Sequence, residues 1–217
     1  MTILALEFSS ARRSVAVLVP GAEPFCAVRA DAERSTHAFE LIERVLQEAG
    51  LERRAIDCIA VGLGPGSYTG IRVGIAIAQG WQLAAGVRLL GVSSADAIAA
   101  QARAAGVKGK AFCLIDAQRR EYYLGAYDLD FDPPRAVEPL AITSASAVSE
   151  LAARGETLIG PEPAVEGNRL IYPDAATLAR LASLRTDFVP GERLEPIYLR
   201  ETAFVKAAPP RFQILLP

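Results

Sequence analysis

One opening is played twice in this chain. "TILALEF", "SVAVLVP" and "FCAVRAD" are three strand-like runs joined by short turns, and "KAFCLIDA", "EYYLGAYDL" and "RAVEPLAIT" follow the same order further on. Helices and strands alternate after each opening. The first series continues with the helical "STHAFELIERVLQEAG", a strand over 56–62, a glycine-rich turn, a helix from about 70 to 85, the strand "VRLLGV" and the helix "SSADAIAAQARAAG". The second is shorter: the helix "SASAVSELAARG", the strand "ETLIGP" and the helix "DAATLARLASLR". Such alternation forces an α/β arrangement in which each sheet is covered by helices. No residue-level repeat accompanies the repeated order. The spacing therefore predicts two related α/β halves, 1–100 and 101–217, the second truncated and ending in the extended arm "LEPIYLRETAFVKAAPPRFQILLP".

Composition removes several classes of function. With 217 residues, 51% hydrophobic and 22% charged, the chain reads as a soluble globular protein. No apolar run approaches the length of a membrane span, and "MTILALEFSS" lacks the basic start of an export signal. A formal charge of -2 supplies no field that would hold a polyanion unaided. Cys26, Cys58 and Cys113 lie far apart in apolar runs, as buried free thiols in a reducing cytoplasm would.

The stretch "GLGPGSYTGIRVGIAIAQGW" is a glycine-rich turn running into a helix that Ser67 or Thr69 can cap. It is no Walker loop, because Ile71 and Arg72 follow Gly70 where Lys and Ser/Thr are needed. Gly62, Gly64 and Gly66 match only half of a dinucleotide fingerprint. Gly70, Gly74 and Ala78 recur every four residues and predict a bare helix face that another helix can approach. Ile71, Val73, Ile75, Ile77, Trp81 and Leu83 make the rest apolar, so the helix is either sandwiched or offered to another chain. In the preceding helix, capped by Ser35 or Thr36 and closed by Gly50, the stripe is Ala38, Ile42, Val45 and Ala49. Phe39 and Leu46 widen it, and Leu41 is expected off it.

Two halves that each begin with a three-strand meander resemble the actin, sugar kinase and chaperone ATPase group. Those proteins place acidic and small hydroxyl or glycine residues in the first hairpin of each half. Here the first hairpin offers Glu7, Ser9 and Ser10, for which a solvated turn is the simpler reading. The second offers Asp116 with no glycine to let a phosphate approach, and "LIGPEPAV" has only Gly160 where a glycine pair is wanted. His37 is the one histidine, without a companion at metal-ligand spacing, and Ser67 lacks a GxSxG elbow.

Taken in order, "ILALEFSS", "GLGPGSYTGIRVGIAIAQGW", "LLGVSSADAIA", "IDAQRREYYLGAYD" and "PIYLRE" resemble the TsaB (YeaZ) family, accessory proteins of bacterial tRNA threonylcarbamoyladenosine synthesis. The resemblance departs at Glu7, Phe8 and Ser9, where family members commonly carry Asp, Thr and Ser. It implies an actin-like (ASKHA) fold with a truncated second half. It also implies a non-catalytic scaffold that pairs with the catalytic subunit TsaD and, with it, the ATPase TsaE. The modified base would be the adenosine at tRNA position 37, reached only through the complex. ATP and metal would belong to the partner subunits, with no cofactor or metal on this chain. Glu7, Ser9, Ser10 and Asp116 would be vestiges of a nucleotide site. The partner surface is expected on Phe39, Ile42, Leu46, Gly70, Ile71, Gly74, Ile75, Ala78 and Trp81, and a homodimer in isolation stays open. The rival readings are an actin-like kinase or ATPase served by Glu7, Ser9 and Asp116, and a glycoprotease-like hydrolase using Ser67.

Overall fold

The computed structural model describes residues 1–29, 37–163 and 165–199. In the first sheet β1 (Ile3–Glu7) runs antiparallel to β2 (Arg13–Leu18) and parallel to β4 (Cys58–Gly62). Beyond them lie β3 (Phe25–Arg29) and β5 (Arg88–Val92), giving the order β3-β2-β1-β4-β5. The second sheet comprises β6 (Lys110–Asp116), β7 (Glu121–Asp128), β8 (Arg135–Ser144), β9 (Leu158–Gly160) and β10 (Asn168–Leu170), in the order β10-β9-β6-β7-β8. Started from the outer meander strand, the two sheets have one topology: three antiparallel strands, then two added in parallel. This duplicated α/β topology is the actin-like fold. The short β10, with half-buried Asn168 and two exposed residues, has no apolar pattern and was not expected from the sequence.

Alternation along β1 sets the layers. Leu4 and Leu6 face α1 (Ala38–Glu48) and α2 (Tyr68–Ala85), whereas Ile3 and Ala5 face α5 (Ala175–Ser183). The α5 side is built from small residues, among them Ala16, Ala60, Ala175, Ala179 and Ala182, which lets the helix lie close to the strands. α3 (Ser94–Ala104) lies between the halves: Ala97 packs with the first sheet, while Ala95, Ile98, Ala99 and Ala102 pack with the second. A half-buried hydrogen bond from Tyr127 Oη to Asp96 Oδ1, 2.8 Å, fastens α3 to β7. α4 (Ala145–Ala153) covers the remaining face of the second sheet with Val148 and Leu151.

The strands of the first sheet precede residue 100 and those of the second follow it, whereas the helices do not keep to that order. α5 follows the second sheet in sequence yet is buried against the first, where Ser14 Oγ accepts the Ala175 amide at 2.9 Å and Asp174 meets Gln101 of α3. Residues 185–198 then run along the first half. Arg185 bonds Gly91 O, Val189 N bonds Leu89 O, and Ile197 N bonds Leu63 O.

Helix ends follow the local chemistry. Ser67 Oγ accepts the Gly70 amide and caps α2, and Ser93, Ser144 and Asp174 cap α3, α4 and α5 in the same way. α1 begins at Ala38 with His37 at the cap position and no side-chain cap bond; Ser35 and Thr36 lie outside the described residues. At its other end Gly50, at φ +64°, lets Gly50 N reach Gln47 O and Leu51 N reach Leu46 O, a Schellman closure.

Two expectations about faces are overturned. Leu41 is buried and Phe39 is 66% exposed, because Leu41 lies only about 60° round the helix from Ala38 and so joins the stripe. The Gly70 and Gly74 positions of the stripe face the first strand end and sheet of their own half, and Ala78 is buried in the same core. A Cβ on Gly70 would stand 2.0 Å from Phe8 O, and one on Gly74 3.2 Å from Val61 Cγ1.

Candidate functional site

Glu7 ends β1 on the face of Ile3 and Ala5, which turns its carboxylate inward toward α3 and α5. It is fully buried. Oε1 accepts the Ser9 amide at 2.7 Å and Oε2 accepts the Ser94 hydroxyl at 2.8 Å, while Ser94 Oγ accepts the Gly64 amide at 3.1 Å. Burial pushes the Glu7 pKa above the usual carboxylate range, against the opposing pull of the Ser9 and Ser94 hydrogen bonds. Ser9 and Ser10 are buried too; Ser9 O accepts the Ser67 amide at 2.7 Å, and Ser10 Oγ closes on Arg12. The solvated hairpin turn expected here is therefore replaced by an interior junction of three loops. No charge pair marked it in the sequence; Gly62 was the one residue of fitting type, since a Cβ there would stand 2.1 Å from Glu7 Oε2.

Between the halves lies an open cleft of about 1140 Å³. Ser9, Ser10, Ser67 and Thr69 line one wall; Asp116, Gln118, Arg119 and Glu162 line the other, with Tyr123, Tyr172 and Tyr198 around them. The structure thus brings Ser9, Ser10 and Asp116 to one cavity, while Glu7 lies behind it. Asp116 Oδ1 accepts the Gln118 amide at 2.8 Å, and Glu162 Oε1 accepts the Asp116 amide at 3.0 Å. The Asp116 carboxylate is engaged by its own loop, and the Glu162 carboxylate reaches across to the amide that ends β6. Burial raises the Glu162 pKa, opposed by its bond to the Asp116 amide. Ser67, the hydrolase candidate, spends its oxygen on the α2 cap and lines the cleft, whereas His37 lines a different cavity with Nδ1 3.1 Å from Glu40 Oε2.

That second cavity is a groove of about 750 Å³ between α1 and α2. Phe39 and the exposed Ala76 and Gly80 border it, and Val73, Ile77 and Trp81 are half-buried along it. Of the nine residues expected at a partner surface, Phe39 and Trp81 are accessible here. Ile42 touches the groove from beneath but is only 1% exposed, and Leu46, Gly70, Ile71, Gly74, Ile75 and Ala78 are buried in the core of the first half. The groove residues missed from the sequence, Val73, Ile77, Gly80 and Ala84, recur at i, i+4, i+7 and i+11, an apolar stripe about a quarter turn round α2 from the glycines.

Among the described residues, no three His, Cys, Asp or Glu side chains are grouped as metal ligands, and no helix is long and apolar enough to cross a membrane. Cys58 and Cys113 are buried free thiols, and Cys26 is a partly exposed one.

A family model described as TsaD, tRNA N6-adenosine threonylcarbamoyltransferase, matches residues 21–165. The chain is 26% identical to the tRNA threonylcarbamoyladenosine biosynthesis protein TsaB of Haemophilus influenzae, over 97% of its own length and 98% of that protein's. It is 32% identical to the Escherichia coli protein of the same description, over 60% of this chain and 56% of the relative. Among solved structures, YeaZ from Pseudomonas aeruginosa superposes with a TM-score of 0.80 at 29% identity, covering 91% of this chain and 99% of that one.

Proposed function

This chain belongs to the TsaB (YeaZ) family of tRNA threonylcarbamoyladenosine biosynthesis proteins, and from that premise we propose that it is a non-catalytic scaffold which docks the catalytic subunit TsaD. The ATPase TsaE joins that pair, and tRNA is reached through the assembly in the cytoplasm. The chain binds no cofactor or metal of its own; ATP and metal are held by its partners.

The groove between α1 and α2 is the observation that carries this reading. A half-buried tryptophan, two aliphatic side chains and an exposed phenylalanine flank the small Ala76 and Gly80, so a partner helix can approach the α2 backbone closely. The remaining chemistry fits a scaffold. Ser67 acts as a helix cap, His37 stands by the groove, and Glu7 is enclosed by protein.

Reconstitution tests the proposal. Given tRNA and threonylcarbamoyl-adenylate, the chain alone should form no modified adenosine, and TsaD with the remaining pathway proteins should restore it. An Ala76→Glu variant should fail to support that restoration. Modification by this chain alone would overturn the non-catalytic assignment.

A further inference from the structure

Around the mouth of the interdomain cleft, arginines lie over tyrosines. The Arg72 guanidinium is 4.3 Å from the centroid of the Tyr68 ring and 5.9 Å from that of Tyr198, and those two rings stack on each other at 5.5 Å. Arg12, on the first hairpin, lies 5.3 Å from the Tyr172 ring, and exposed Arg119 lines the second wall. Tyr68 is 58% exposed where it lines the cleft. From this arrangement we propose that the cleft mouth binds the unpaired nucleotides of an RNA loop. RNA as the occupant rests on the function proposed above; the location rests on the rim itself.

A guanidinium placed over a tyrosine offers a plane on which a base can stack and N–H edges that reach phosphate oxygens. Aromatic platforms interleaved with cations are the usual means of holding single-stranded nucleic acid. Within the cleft, Arg13 and Arg119 are balanced by Asp116 and Glu162, whose carboxylates accept the amides of Gln118 and Asp116 respectively. Arg12 and Arg72 on the rim then leave the mouth positive. A duplex stem keeps its bases stacked and offers nothing to such platforms, whereas a loop splays them out. With a chain charge of -2 the contact is weak alone, which suits a surface used when an assembly already holds the RNA nearby.

Fluorescence anisotropy at low salt, with a labelled RNA hairpin carrying an anticodon-type loop and its stem as a blunt duplex, tests this on the full chain. The hairpin should bind about tenfold more tightly than the duplex, and Tyr68→Ala should remove about that factor from the hairpin alone. Arg72→Gln and Arg119→Gln should each flatten the dependence of log affinity on log salt by about 0.7. Circular dichroism of each variant should match the parent, because all three side chains are exposed. Absence of hairpin binding, or equal hairpin and duplex affinities, would overturn the proposal. So would binding of adenosine monophosphate alone with the same sensitivity to Tyr68→Ala, which would make the mouth a mononucleotide pocket. Tyr68→Ala should leave TsaD docking intact and Ala76→Glu should leave hairpin binding intact, so the two readings fail separately.

Discussion

The carboxylate of Glu7 and the hydroxyl of Ser94 meet at 2.8 Å in the interior, joining the end of β1 to the start of α3 across 87 positions of sequence. Ser94 also accepts the Gly64 amide, so one hydroxyl holds the first hairpin, the glycine-rich turn and α3 together. Ser94→Ala strands both a buried carboxylate oxygen and a backbone amide. The expected cost is about 1–3 kcal/mol of stability, read from urea unfolding. An unchanged midpoint would show that the junction is not held by this residue.

Stability should also depend on pH through Glu7. Burial raises its pKa in the folded chain above the ordinary 4.5, so the folded state binds this proton more tightly than the unfolded state does. Glu7 therefore favours the fold most below 4.5, and that contribution is lost as pH rises through its raised folded value. Relative to wild type, the Tm of Glu7→Gln should improve as pH increases from below 4.5. A constant difference across that range would contradict the assignment.

Gly74→Leu separates the inward glycine stripe from a surface role. A Cβ at this position already comes within 3.2 Å of Val61 Cγ1 and 3.5 Å of Phe8 Cδ2. Overpacking should cost about 1–3 kcal/mol, seen as a lower denaturation midpoint. Full stability together with lost partner binding would instead return this face to the interface.

The succession of strands and helices was legible because the repeated meander and the apolar runs are local patterns, and the serine and glycine helix ends follow from short-range chemistry. What a helix face meets was not. Gly70 and Gly74 announce a close approach, yet the approaching group is the Phe8 backbone and Val61, which only the fold brings there. Glu7 resembles a turn residue by type, and its burial depends on Ser94, remote in sequence. The return of α5 to the first sheet is equally non-local: its alanine-rich pattern would suit either half. For the site, Phe39 entered as the edge of a helical stripe and Trp81 as part of an all-round apolar helix, whereas Ala76 and Gly80 are recognisable as a groove floor only once α1 lies beside α2.

Isothermal titration of purified TsaD into this chain, wild type and Ala76→Glu, tests the docking groove most directly. Ala76 is solvent-exposed, so the substitution should leave circular dichroism and Tm unchanged. Burying its unpaired carboxylate against a partner helix should weaken binding by about tenfold or more. The groove account predicts that loss in a fully folded variant; undiminished affinity for TsaD would contradict it.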